Sequence, residues 1–454
     1  MTATTLTVDR LRAGHRALLL ALVITAGILN LVDRQIIAVL KPAIAADLGW
    51  SDDDYGTLAA WFQGGAAVAF LFTGWIADRL GVKWANPVGV AAWSVAAMLH
   101  GWASSFAQFV AVRATLGATE AMGTPTGIKT IATVLPPAWA SAGFGVANAA
   151  NSIGAILAPL AIPALALSLG WRGTFVAAGA LGLVWAAVWL VTTRRIEFDR
   201  PTAEPSGAGR PAAQPFDGMR PTAEPFDIAR AAPAVSDAAD PPDYGPILRE
   251  RRTWAVAGAK LLSDATWWLL LFWMPDFFNR QFGLSGVALG VPLAIAYGGA
   301  AAGSLAGGGI ATRLLRRGWS ANRVRKLIML VAGIAVLPIP LALTLDSYPL
   351  AVAIMAVTLA AHQAFSTNLF ALIADVTPSR KVGRVTAFGA FSGNMGGLVI
   401  AKVAGLVLSA GLGYLPLFLF ASVSYLLALG WIHLMIPRIV PVARTGPGVP
   451  VAAH

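Results

Sequence analysis

The sequence predicts an all-α membrane protein of twelve transmembrane helices in two six-helix halves. Composition is the first reason. Of 454 residues 57% are hydrophobic and 12% are charged, against about 25% charged in an ordinary soluble domain. The second is length. A helix needs about 20 apolar residues to cross a bilayer, and stretches of that kind lie near 16–40, 55–77, 85–105, 107–129, 138–168 and 173–193, then near 254–279, 287–313, 326–345, 348–375, 384–410 and 414–436. The third is charge placement, which alternates from one connection to the next.

The first stretch follows Arg10 and Arg12, as a signal peptide would. It runs past the length of a signal-peptide core and meets no small-residue cleavage site, so it is predicted to stay as the first helix. Arg10, Arg12; Arg79, Lys83; Arg194, Arg195; Arg249, Arg251, Arg252; Arg313, Arg316, Arg317, Arg323; and Arg380, Lys381, Arg384 all fall on one side. The opposite connections hold few cations, chiefly Lys41, Arg172 and Arg280, with the acids Asp47, Asp52, Asp53, Asp54 and Asp346. Cytoplasmic loops carry the excess of Lys and Arg, so both termini are predicted to be cytoplasmic and the chain to sit in the inner membrane.

Between the two sets the composition turns to Pro, Ala, Asp and Glu, and Arg200-Pro201-Thr202-Ala203-Glu204-Pro205 recurs as Arg220-Pro221-Thr222-Ala223-Glu224-Pro225. Such a segment buries too little apolar surface to fold and predicts a disordered cytoplasmic linker. The predicted organisation is a tail over 1–15, a bundle over 16–193, the linker over 194–252, a second bundle over 253–437 and a tail over 438–454. Equal bundles joined this way suit a transporter whose halves rock about a site at mid-membrane.

A net charge of +11 would point to nucleic acid in a soluble protein. Here the cations lie in short segments between apolar spans, where they face anionic lipid headgroups, and no nucleic-acid partner is predicted. There are no cysteines, hence no thiolate metal site and no Cys nucleophile. No zinc-protease, serine-hydrolase or phosphate-loop motif occurs, so neither an enzyme nor a cofactor or metal is predicted.

Between the second and third spans runs Gly74-Trp75-Ile76-Ala77-Asp78-Arg79-Leu80-Gly81-Val82-Lys83. It resembles the Gly-x-x-x-Asp-Arg-x-Gly-x-Lys/Arg signature of the major facilitator superfamily, which implies the major facilitator fold. Gly74 is read as the point where a neighbouring helix approaches. Asp78 is read as one side of a latch to a basic residue, with Arg79, Gly81 and Lys83 completing the gate. The second half holds a worn copy, Gly308 to Thr312-Arg313, with Thr in place of the acid.

Charges inside spans are costly and therefore functional candidates. Asp33 and the lone guanidinium of Arg34 lie in the first span. Arg113 and Glu120 are seven apart in the fourth, on one face and about 10 Å apart along the axis. Lys260 and Asp264, four apart in the seventh, read equally as a structural pair or as functional groups. Lys402 lies in the eleventh, and His362, Gln363 and Asn368 in the tenth; His362 alone suits a polar core better than a proton relay. Gly299, Gly303 and Gly307 form a small-residue stripe for helix packing.

An organic anion needs a fixed cation, and arginine holds a carboxylate through two bonds without losing its charge. Arg34 is the first candidate and Lys402 the next. A coupled proton needs an acid whose proton affinity is raised by burial and lowered by a nearby arginine. Sugar hydroxyls need polar partners, available from Asn148, Asn151, Trp267, His362, Gln363 and Asn394.

Val32-Asp33-Arg34-Gln35, Arg113 to Glu120, Pro125-Thr126-Gly127-Ile128-Lys129, and Asn148 with Asn151-Ser152-Ile153-Gly154 resemble the anion–cation symporter family. Ala361-His362-Gln363-Ala364 and the Trp254 to Trp267 stretch resemble its hexuronate transporters. That resemblance implies proton symport of a hexuronate or aldonate. Arg34 would take the carboxylate, Asp33 and Glu120 the protons, Arg113 would tune Glu120, and Asn151 would meet hydroxyls. The chain departs from the family where relatives often carry a mid-helix Tyr in the second span: it has Gly64, Gly65 and Ala66 there. That predicts a wider or apolar pocket, and with it an alternative, an aromatic carboxylate such as phthalate. A transporter-like solute sensor is the alternative of a different class. The predicted partners are a small organic anion, protons and membrane lipid, with the protein a monomer.

Overall fold

The computed structural model describes residues 6–7, 11–135, 137–198 and 241–439, of which 6–7, 137–151 and 379 are described by their backbone alone. Within these residues the elements are β1 (Leu6–Thr7), α1 (Ala13–Val39), α2 (Lys41–Leu48), α3 (Asp52–Leu99), α4 (Phe106–Glu120), α5 (Gly123–Val134), α6 (Pro137–Thr193), β2 (Ile196–Glu197), α7 (Gly245–Leu248), α8 (Arg251–Phe282), α9 (Gly290–Arg316), α10 (Ala321–Val336), α11 (Tyr348–Val376), α12 (Ser379–Ser409) and α13 (Leu415–Met435).

Among the described residues nine helices are long and apolar enough to cross a membrane. Two of them are doubled. At 48 residues α3 would extend about 72 Å if straight, far beyond a hydrocarbon core of about 30 Å. It reverses at Gly81, whose φ of 70° favours glycine. After the turn Asn86 reaches Thr130, beside the Lys129 that Asp78 reaches before it. α6 breaks likewise at Gly170, φ 68°. The pair α4 and α5 forms one crossing interrupted at residues 121–122, which completes the twelve. Every predicted span has its helix.

Each half packs on itself, α3 against α4 and α1 against α6 in the first, α9 against α11 and α8 against α13 in the second. The small-residue stripe of α9 lies against the backbone of Ala356, Ala360 and Ala364 on α11. Across the halves α3 meets α12, α6 meets α9 and α1 meets α8. Exposed side chains such as Leu167, Leu305 and Leu434 form a surface suited to lipid rather than water.

The predicted linker is ordered at both described ends, which corrects the expectation of disorder from 194 and up to 252. Ile196 and Glu197 pair in parallel with Leu6 and Thr7, and Lys83 donates to the carbonyls of Arg194 and Ile196. At the other end Tyr244 donates to the Leu71 carbonyl at 2.7 Å, and Arg384 holds the Asp243 carbonyl at 3.0 Å.

Candidate functional site

The site forms where α1 meets the break between α4 and α5. Glu120 ends α4, midway through the fourth crossing. Arg34 donates to Glu120 Oε2 from Nε at 3.0 Å and from Nη2 at 2.8 Å, and Nη2 also reaches Asn30 Oδ1 at 3.1 Å. These bonds engage Nε and Nη2 but not Nη1. Glu120 is buried, and its Oε1 has no partner among the described residues. The Arg34 side chain keeps 17% exposure. Its guanidinium lies 5.3 Å from the ring centres of both Phe62, in the first half, and Trp268, in the second. The cation therefore stands at the seam of the two bundles. It is not the lone guanidinium read from the sequence: its partner comes from the fourth span.

Asp33 makes no bond to this bridge. Both its carboxylate oxygens are buried without a hydrogen-bond partner among the described residues, as are all three guanidinium nitrogens of Arg113. Arg113 lies 5.4 Å from the centre of the same Phe62 ring and within electrostatic reach of Glu120, Arg34 and Asp33. Two acids and two arginines thus share one buried region. With all four ionised the cluster is electrically balanced.

The remaining predicted binding residues are not gathered around Arg34. His362 is buried, bonds through Nδ1 to Tyr425 Oη at 2.8 Å and stacks on Trp267 at 4.9 Å, which is a polar core inside the second half. Asn394 donates back to the Ala390 carbonyl of its own helix at 2.8 Å. Gln363 is half-buried. Lys402 is corrected from a reserve carboxylate site to an inter-half contact: its Nζ lies 2.5 Å from Asp53 Oδ1 and 2.9 Å from Thr57 Oγ1. The side chains of Asn148 and Asn151 lie outside the described residues. Lys260 and Asp264 pair at 2.6 Å within α8. The expected widening at Gly64–Ala66 is also corrected. A Cβ on Gly65 would strike the Ala114 backbone of α4, and one on Gly64 would lie 3.1 Å from Leu398, so neighbouring helices take up the room.

At the gate motif Asp78 pairs with Lys129 Nζ at 2.8 Å, and Lys129 also donates to the Ala77 carbonyl at 3.0 Å. Arg79 lies over the Trp75 ring at 4.7 Å. Gly74 is corrected: among the described residues no neighbouring helix comes within 4 Å of a Cβ built there.

Sequence reasoning missed a second constellation at the acidic end of the molecule, the end carrying the acid-rich connections. Lys41 bridges Asp52 and Asp276, each at 2.7 Å, and lies 4.5 Å from the Trp273 ring centre. Asp276 also accepts from Arg280 at 2.7 Å and from Tyr414 at 2.5 Å, while Arg280 reaches Asp52 at 2.5 Å. Lys41 and Asp52 belong to the first half, Asp276 and Arg280 to the second. Close packing of Gly56 on Gly405 and Ala401 joins α3 to α12 beside them. The only sequence signal was a surplus of opposite charges on the same side of the membrane.

Two helical bundles with a balanced charge cluster at their seam and an ion lock at one end define a twelve-helix membrane transporter. The profile of the Major Facilitator Superfamily matches residues 23–401, and the chain belongs to that superfamily, whose members are transporters and not enzymes. Relatives include the D-galactonate transporter of Escherichia coli O6:H1, 23% identical over 92% of this chain and 96% of the relative. The hexuronate transporter of Escherichia coli K12 is 25% identical over 91% of this chain and 92% of the relative. The probable L-galactonate transporter of Escherichia coli K12 is 28% identical over 68% of this chain, and the match spans 64% of that relative, just under two thirds of its length. A bacterial homologue of the human lysosomal transporter Spinster, in an inward-facing and unoccupied conformation, has the same fold, with a TM-score of 0.65 at 19% identity over 94% of this chain and 96% of that one. The occupied form of that homologue gives 0.67 at 18% identity, over 93% of this chain and 96% of that one.

Proposed function

We propose that this transporter carries a sugar-acid anion, a hexuronate or aldonate, into the cytoplasm together with a proton. The observation behind this reading is the Arg34–Glu120 bridge at the seam of the halves. One guanidinium serves two competing carboxylates, that of Glu120 and that of the substrate. When the substrate takes Arg34, Glu120 is left buried without its partner, and a lone buried carboxylate is costly to keep charged. Taking up a proton relieves that cost. The same follows from charge balance: a monoanion added to two acids and two arginines leaves one excess negative charge, and one proton restores neutrality. Galactonate and hexuronate transporters among the relatives support the substrate class. Asp33 is the second group able to take that proton, sharing the load with Glu120, and Arg113 tunes Glu120. The surplus of Lys and Arg at the other end supports an orientation with both termini in the cytoplasm of the inner membrane.

The Phe62 and Trp268 rings beside Arg34 also suit an aromatic carboxylate such as phthalate, which is the second reading. Purified protein in proteoliposomes separates the readings. An imposed gradient, acid outside, should drive accumulation of labelled glucuronate, galacturonate or galactonate, and a protonophore should abolish it. Accumulation indifferent to the gradient would refute the coupling. Phthalate as the sole accumulated solute would refute the substrate class, and binding without accumulation would mark a sensor.

A further inference from the structure

Gln63 follows Phe62 on α3 and is fully buried. Neither Nε2 nor Oε1 of its amide has a hydrogen-bond partner among the described residues. The side chain lies in the seam between the halves. A Cβ on Gly397 of α12 would lie 3.0 Å from Gln63 Cδ and 2.8 Å from Trp268 Cγ, so amide, indole and bare glycine backbone meet at one point. The same indole faces Arg34 at 5.3 Å. The amide is thus one ring away from the proposed carboxylate anchor.

Packing alone does not account for this residue. Phe62, Ala66 and Ala67 beside it on α3 are apolar and buried, and a leucine would fill similar volume without leaving an amide unpaired, which is the costly arrangement. That cost is offset if another state of the transporter gives the amide a partner. An amide presents one donating and one accepting edge, and a hydroxyl group both donates and accepts.

We propose that Gln63 is a specificity-determining residue, hydrogen-bonding a hydroxyl of the anion held by Arg34 in the state where α3 and α12 have parted. This role rests on the sugar-acid reading above. Gly397 provides the room, because any side chain there would strike the amide and the indole together. In the described state the closed seam withdraws the amide from the site, so the anion is read while the acidic end is open and loses that bond when it closes.

The test uses the full chain in proteoliposomes, with galactonate and glucuronate, their single-deoxy analogues, and phthalate, which has carboxylates but no hydroxyl. Gln63→Leu should raise the KM for the hydroxylated acids about tenfold, the effect of one hydrogen bond to a buried group. It should leave the inhibition constant of phthalate unmoved. One deoxy analogue should be bound more weakly than its parent by the wild type, and equally well as its parent by Gln63→Leu. Gln63→Asn keeps an amide on a shorter stem and should fall between the two; it carries the test if the Leu variant does not insert. Equal weakening of phthalate and sugar acids, or a hydroxyl preference unchanged in both variants, would overturn the role while leaving the sugar-acid reading intact. A wild type that carries phthalate and no sugar acid would overturn that reading, and the role with it.

Discussion

Replacing Asp276 with Asn removes one charge from the lock at the acidic end and should move the transporter toward the state open at that end. Lys41 and Asp276 each keep 5% side-chain exposure, so this is a buried ion pair bridging the halves. Breaking such a pair from one side costs about 3–5 kcal/mol, because the surviving charge stays buried without its partner. Two features reduce that here. Lys41 retains Asp52 at 2.7 Å, and Arg280, 43% exposed, contributes little to the loss because water screens it. About 2–3 kcal/mol remains, a shift of roughly 30- to 140-fold in the equilibrium between the two states. The open state carries no such penalty, since there Lys41 meets water. Spin labels at Ser104 in the first half and Ser347 in the second, both exposed at that end, report the separation. Asp276→Asn should add a longer distance to the distribution, and Lys41→Met with Asp276→Asn should lose part of it again, because no buried charge is stranded. A distribution identical to the parent's would refute the idea that the network holds the halves together.

Arg34→Ala should abolish binding of the anion, and Arg34→Lys should weaken it strongly because one ammonium cannot reproduce the two-nitrogen grip on a carboxylate; near-normal affinity in the Lys variant, read by binding calorimetry, would place the carboxylate elsewhere. Glu120→Gln keeps the shape of the protonated acid while freeing Arg34, so exchange of labelled for unlabelled substrate should persist while pH-driven accumulation is lost; a Gln variant that still concentrates substrate would transfer the coupling role to Asp33. Lys129→Met strands the half-buried Asp78 and should slow transport more than the double variant Asp78→Asn with Lys129→Met, in a comparison of initial uptake rates. Cysteine at Ser320 should react with an impermeant reagent only from the cytoplasmic side and cysteine at Ser347 only from outside; the reverse pattern would overturn the orientation.

The twelve crossings were legible because hydropathy over about 20 residues is a local signal. Partnership between helices is not local. Arg113 was read as tuning Glu120 from seven residues away on one helix, and the direct partner was not foreseen: Glu120 bonds Arg34, 86 residues away, because α1 packs beside the break between α4 and α5. Lys129 was visible in its motif, but nothing local tied it to Asp78, 51 residues earlier. Gly64 and Gly65 show the converse error. A missing side chain reads equally as space for a ligand or as room for a helix, and only the position of α4 decides between them. Lys41, Asp52 and Arg280 were counted as markers of one side of the membrane and Asp276 was not singled out at all; their pairing required knowing that α1 and α8 face each other across the seam.

Ion pairs are distributed unequally between the two ends of the molecule, and that asymmetry bears on the cycle. At the acidic end three cross between the halves, Lys41 to Asp276, Arg280 to Asp52 and Lys402 to Asp53, beside pairs such as Arg172 with Asp47 that stay within one. At the basic end the described pairs stay within one half: Asp78 with Lys129, Arg325 with Asp375, Lys381 with Glu250. There the Tyr244 hydroxyl, at the end of the linker, donates to the Leu71 carbonyl of the first half. The structure is therefore a state in which ion pairs lock the halves together at the acidic end. Pairs inside a half brace its helices in both states and add no bias between them; pairs across the seam exist in one state only and set the bias. A lock of this kind limits turnover unless something favours the other state by a comparable amount. Hydration of the freed charges supplies part of that. The rest falls to the cluster around Arg34, where exchange of one carboxylate for another, with a proton, changes which state the seam prefers. Trp268 and Gly397 connect the two places physically: both line the seam that the lock closes, and the Trp268 ring faces the arginine that the substrate would take.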